Sequence, residues 1–181
     1  MLNKENTEQT LEAWGADIVK FARININDRN RKRKSKITGK MRRGKIDSSG
    51  DLRKSLDNEF VVNKNSFGFQ ITGIDYTSDV NSGKKRKTSV SDIKSWMKSK
   101  RLRLTNSQGF IKMTPARVQG FAEFVAWKVS TIGSDVTDFM TDAVEMAGKK
   151  HRKDLEESMF KDIDQEVGMV LRSLENGSSN I

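Results

Sequence analysis

The chain has 181 residues, 34 % hydrophobic and 32 % charged, with no cysteine, one histidine and a formal net charge of +10. That length fits one domain, or one domain with appendages, and the absence of cysteine removes disulfides, thiolate metal sites and cysteine nucleophiles together. No apolar run approaches the ~18 residues of a membrane span, and the opening MLNKENTEQTLEAWG lacks the apolar stretch of a signal peptide, so the sequence reads as soluble and cytoplasmic at synthesis. A mean hydropathy of -0.70 leaves some segments with little to bury, and a pI near 9.8 favours an anionic partner, nucleic acid or acidic protein.

Glu5 to Asn25 reads as a helix, because Leu11, Trp14, Ile18 and Phe21 recur at helical steps with acids early and Lys20 and Arg23 late. A basic stretch follows. From Arg29 to Lys45 it holds ten cations and no acid, namely Arg29, Arg31, Lys32, Arg33, Lys34, Lys36, Lys40, Arg42, Arg43 and Lys45. One short segment thus carries the equivalent of the whole charge excess. With only Ile37 and Met41 as apolar members it has no face to pack, and it reads as an extended arm or loop. Asp51 and its neighbouring serines supply helix-start chemistry for GDLRKSLDN, a short helix with Leu52 and Leu56 on one side.

The clearest strand signal comes next. Phe60 and Val62 alternate before the turn-prone NKNS, and Phe67, Phe69 and Ile71 alternate after it, which predicts a hairpin with one buried face. A third strand is expected near Phe110 to Met113. DYTSDVNSGKKRKTS reads as a polar connection carrying a second basic cluster, Lys84, Lys85, Arg86 and Lys87. A helix capped by Ser89 or Ser91 should bury Ile93, Trp96 and Met97. Thr114-Pro115 starts another, whose stripe of Val118, Phe121, Ala122, Val125, Val129 and Ile132 ends at Gly133. After a short linker and FMTDAVEMA, a long amphipathic helix is predicted from Lys149 to Glu175, with Leu155, Met159, Ile163, Val167, Val170 and Leu174 on one side. The order implies an α+β fold, with helices packed on a small antiparallel sheet or hairpin and long helices at both ends. Core positions are expected at Leu11, Trp14, Ile18, Phe21, Leu52, Leu56, Phe60, Val62, Phe69, Ile71, Trp96, Phe121, Val125 and Val129.

Catalytic chemistry finds little support. His151 sits within KKHRKD and reads as a solvated surface residue, and no phosphate-cradling or dinucleotide motif occurs. The Asp162 to Glu166 spacing arises in any charged helix and reads as solvent-facing. The expectation is a non-enzyme with no catalytic residue, metal or cofactor. Trp14, Trp96 and Trp127 lie on or beside apolar helix faces, where core packing is favoured over base stacking. The basic arm lacks interleaved aromatics. Phosphate contact and docking on an acidic protein surface stay equally open for it, beside plain solvation.

From Ser48 to Glu145 the sequence resembles the neck, or tail-completion, proteins of long-tailed bacteriophages, which include minor tail and head-tail joining components. The resemblance rests on SSGDLRKSLDNEFVV, through Gly50, Leu52, Arg53, Ser55 and Leu56. It continues in DYTSDVNSGKKRKTSVSDIKSWMKSK, through Tyr76, Gly83, Ile93, Trp96, Met97 and Lys100, and in FAEFVAWKVSTIGSDVTDFMTDAVE, through Ala122, Ala126, Gly133, Phe139 and Ala143. It implies a structural virion protein that forms a homo-oligomeric ring around the DNA channel. Its implied partners are portal or head-completion proteins and tail-terminator or tail-tube proteins, with non-specific contact to packaged DNA and none to a membrane. The alternative is a basic, sequence-nonspecific nucleic-acid-binding protein. On this reading the parts are an N-terminal helix (1–27), a basic arm (28–47), an α+β core (48–145) and a C-terminal helix with its tail (146–181). The cations of 29–45 and 84–87 contact DNA or an acidic partner, and Leu155, Met159, Ile163, Val167 and Val170 form a subunit interface.

Overall fold

A computed structural model describes residues 4–44, 46, 50–63, 66–99, 102, 105–106 and 109–178. Lys45 lies outside the described residues, as do the side chains of Lys34, Val62 and Phe67 and the resemblance position Lys100. The chain is α+β. In order it forms α1 (Glu5–Asn27), β1 (Lys32–Lys34), β2 (Met41–Arg43), α2 (Asp51–Ser55), β3 (Asp57–Asn63), β4 (Ser66–Thr72), α3 (Thr77–Ser82), α4 (Val90–Ser99), β5 (Thr105–Asn106), β6 (Gly109–Phe110), α5 (Pro115–Thr131) and α6 (Phe139–Ser178). Among the described residues, strands pair as antiparallel hairpins, β1 with β2, β3 with β4 and β5 with β6.

The elements form two compact units, one of residues 4–23, 56–72 and 140–178 and one of residues 24–55 and 73–139. In the first, α1 and α6 run antiparallel, as their side-chain bonds require: Thr7 meets Asp162, Thr10 meets Ser158 and Asp17 meets His151. Ile18, Val19, Ala22, Leu56, Ala143 and Ala147 are buried here. Gly15 permits the approach of β4, since a Cβ at that position would lie 3.2 Å from the Phe69 ring and from Asn58. Trp14 packs beside Phe69 with ring centroids 6.1 Å apart. β3 and β4 pair in the predicted alternation, Phe60 opposite Phe69 and Asn58 opposite Ile71.

In the second unit, Ile93 and Met97 of α4 pack against Ala122 and Ala126 of α5, bordered by Val90, Leu102, Met113, Val118, Phe121 and Val125. Both helices start as their sequences require. The Ser89 hydroxyl accepts the Asp92 N–H at 3.0 Å while Asp92 accepts the Ser89 N–H, and the Thr114 hydroxyl accepts the Arg117 N–H ahead of Pro115.

Several expectations are corrected. Residues 28–47 are no featureless arm, because they contain the β1–β2 hairpin. The segment near Phe110 adds no third strand to β3–β4 among the described residues, where β6 pairs with β5. The connection after Tyr76 coils into α3, closed by Gly83 in the left-handed conformation. The boundary drawn at 145/146 falls inside α6, which is continuous for 40 residues. Trp96 is 36 % exposed and Trp127 is exposed beside Phe124, because the small Ala122 and Ala126 draw α4 close through Ile93 and Met97 instead.

Candidate functional site

The basic segment folds as a hairpin because its turn is internally bonded. The Ser35 N–H donates to the Lys40 carbonyl at 3.0 Å, the Gly39 N–H donates to the Ser35 carbonyl at 2.8 Å, and Gly39 takes a φ of 66°. The hairpin is then fastened to its own unit at both ends. At the base, the Arg31 guanidinium donates twice to the Thr137 carbonyl, at 2.9 and 2.6 Å, while the Thr137 hydroxyl donates to the Val80 carbonyl at 2.7 Å. At the turn, the Lys36 ammonium bonds the Gly83 carbonyl and the Lys36 N–H donates to Asp135. Gly83 and Gly133 cross here, both with positive φ, and a Cβ on Gly133 would strike the Gly83 carbonyl. Only glycine fits that crossing.

This junction brings the turn of the first basic cluster to the start of the second, a juxtaposition with no local signal in the sequence. The 84–87 loop is held in turn by α5: the Arg86 N–H donates to the Val129 carbonyl, and the Ser130 hydroxyl donates to the Arg86 carbonyl. The Arg86 guanidinium lies 5.4 Å over the Tyr76 ring. Arg31 and Lys36 therefore serve as fasteners. Arg33 is half-buried, whereas Arg29, Lys32, Lys40, Arg42, Arg43, Lys84, Lys85, Arg86 and Lys87 are exposed.

The register sets like charges face to face, Lys32 opposite Arg43 and Arg33 opposite Arg42. Directly opposed cations destabilise an antiparallel pair by roughly 0.2–1 kcal/mol, and an anion between them reverses the sign of that contribution. Paired cations of this kind are chemically matched to phosphate or carboxylate oxygens, groups that carry no base identity.

A second polar cluster lies in the first unit, where the sequence pointed to plain solvation. His151 is 6 % exposed; its Nε2 lies 2.7 Å from Asp17, and its ring stacks on Trp14. Lys150 donates to the same Asp17 oxygen at 2.5 Å. The Lys150 and His151 bonds hold the Asp17 carboxyl below its ordinary range. Asp162, 4 % exposed, accepts from the Thr7 N–H at 2.9 Å, the Thr7 hydroxyl at 2.5 Å and the Asn6 amide at 2.7 Å. Burial pushes its carboxyl up, but the Thr7 and Asn6 bonds outweigh burial and leave it lowered. Two antiparallel helices carrying complementary polar rows explain both corrections, and pairing Asp17 with His151 across them was the missed signal.

Beside these groups a pocket of about 260 Å³ is lined by Asn6, Gln9, Thr10, Ala13, His151, Asp154 and Ser158. Its hydroxyls are engaged with one another, Thr10 with Ser158 at 2.6 Å and Ser158 with the Asp154 carbonyl at 2.7 Å. The first bond joins α1 to α6 and the second ties Ser158 to its own helix. Among the described residues, no three His, Asp or Glu side chains are placed to hold a metal ion, and no helix is long and apolar enough to cross a membrane.

Of the proposed interface residues, Met159, Ile163, Val167 and Val170 are about half exposed. Leu155, the fifth, is less exposed than these four. It is half-buried on the row that also carries His151, Ser158 and Asp162. Comparison with protein-family models, curated proteins and solved structures finds no match to this chain.

Proposed function

We propose that this chain is a structural subunit of a tailed-bacteriophage neck, assembled in the host cytoplasm and carried in the virion as a ring around the DNA exit path. The basic hairpin is its polyanion-facing element. The reading rests on the ordered motif resemblance, and the observation that carries it is the register of the hairpin. Cations are opposed in pairs on a framework fastened at both ends, which is unfavourable alone and favourable beside a dense line of negative charge. One such hairpin per subunit, repeated by rotational symmetry, makes a continuous basic band. Head-side portal or head-completion proteins and tail-side terminator or tube proteins would flank it. Electron microscopy of particles with and without this chain tests the reading. A collar on the central axis, with heads and tails unjoined in its absence, is the expected result; normal joining without it sinks the proposal.

One observation favours a second reading, a free nucleic-acid-binding protein. Phe124 and Trp127 are exposed side by side on α5, the helix that holds the 84–87 loop, with ring centroids 6.0 Å apart. Aromatics beside cations are what single strands stack upon. A steep salt dependence, quenching of Trp127 by oligonucleotides and loss of both in the Lys32→Glu, Arg43→Glu double variant would support it. In a ring subunit the same double change should weaken assembled-particle stability more than DNA affinity of the isolated chain.

A further inference from the structure

The outer half of α6 carries an apolar seam that the described residues leave half to three-quarters exposed. Phe160, Ile163, Val167, Val170 and Leu174 follow one another at steps of three, four, three and four residues, the a/d spacing of a coiled coil. Phe160 is 72 % and Leu174 62 % exposed, and the three between them are about half exposed. At 100° per residue, this row lies about 140° around the helix from the row of His151, Ser158 and Asp162 that meets α1. From Asp162 the helix runs on to Ser178, about 24 Å at 1.5 Å per residue. That outer length alone is near the limit of stability for an isolated helix in water.

We infer that this seam bundles with the same segment of other copies of this chain, three or more, in parallel and in register. The inference deepens the homo-oligomeric part of the neck reading and rests on it for nothing else. Three features choose the occupant. First, an a/d row is matched by another helix of equal period, and no other described helix of this chain leaves such a row exposed. Second, Met159 and Leu171 flank the row at the g and e positions, so seven exposed apolar side chains contribute. At roughly 100 Å² each they supply on the order of 700 Å² per copy, close to the ~800 Å² per partner of a stable interface. Third, the charges permit it: in a parallel register the acids at the flanks, Asp164 and Glu166, each face an apolar flank, Met159 or Leu171, instead of another acid. Strand number follows from shape. Both d positions, Ile163 and Val170, are β-branched, which disfavours two strands, and the widened e/g flanks suit a larger bundle.

The absence of cysteine makes the test clean. The full chain should show a solution mass of three or more copies, and Val167→Cys and Leu174→Cys should each form disulfide-linked pairs on mild oxidation. Lys161→Cys, on the far side of the same helix, should form none. Val167→Asp with Val170→Asp should drop the mass to a monomer. If that variant fails to fold, the cysteine pattern still decides. A monomeric or dimeric wild type, or crosslinking at Lys161→Cys equal to that at Val167→Cys, overturns the inference. Its fate separates from that of the neck reading. A closed bundle of three or four copies with a filled apolar core supports the seam and sinks the ring, since it leaves no axial opening for DNA. A monomer that nonetheless joins a ring with head and tail proteins sinks the seam and leaves the neck reading standing.

Discussion

The two halves of α6 invert the usual rule. Its inner half buries a histidine, a serine and an aspartate against α1, while its outer half leaves phenylalanine, isoleucine, valines and leucines in solvent. Polarity does not decide burial here; the presence of a matched surface does. Asp162 can leave water because Thr7 and Asn6 supply its hydrogen bonds, and Val167 stays half exposed because no described residue of its unit closes over it. A helix–helix contact made of polar bonds is geometrically selective, whereas an uncovered apolar row is selective only once a partner of equal period arrives.

The sharpest way to break this contrast is Asp162→Ala, which strands the Thr7 N–H and hydroxyl in a buried site. It should cost about 3 kcal/mol in urea unfolding, against less than about 0.5 kcal/mol for Val167→Ala in dilute, dissociated protein. Asp17→Asn comes next, at about 2 kcal/mol, because Lys150 and His151 lose their shared charge. Both carboxyls titrate below their ordinary value in the folded chain. Their contribution is therefore fully present above the unfolded carboxylate range and is lost as pH falls through the lower folded values. Acid unfolding below about pH 4 should be blunted in Asp17→Asn and Asp162→Asn, and equal acid limbs in wild type and variants would refute the assignment. Two glycines follow with smaller effects than either carboxylate. Gly15→Ala meets Asn58 and the Phe69 ring and should destabilise by about 1 kcal/mol, whereas Gly168→Ala in the outer half meets open space and should stabilise by up to about 1 kcal/mol, both read by thermal melting.

Helix starts were legible because their chemistry is local. Ser89 with Asp92 and Thr114 with Pro115 announce themselves within four residues, and the alternation around Phe60 and Phe69 pointed to a hairpin whose register the structure supplies. What escaped depends on distance. Residues 32–34 and 41–43 have no apolar alternation, so their pairing rests on a bonded turn and on backbone fastenings to Thr137 and Gly83 that no short window contains. His151 looked solvated because its neighbours in sequence are cations; its neighbours in space are Asp17 and Trp14. Trp96 and Trp127 misled in the opposite direction, since alanines carry the α4–α5 contact and leave no room for larger groups. The candidate cations were readable as a list, but their division into fasteners such as Arg31 and Lys36 and outward groups such as Lys32 and Arg43 required the fold.

The crossing of Gly83 and Gly133 has a consequence for inheritance of the surface. Any side chain at position 133 must push away the carbonyl that Lys36 holds, and the hairpin turn would shift with it. A variant could then keep every cation it was born with and still offer a differently aimed array to its ligand. The aim of the charged loop is thus set, in part, by an uncharged residue nearly a hundred positions downstream.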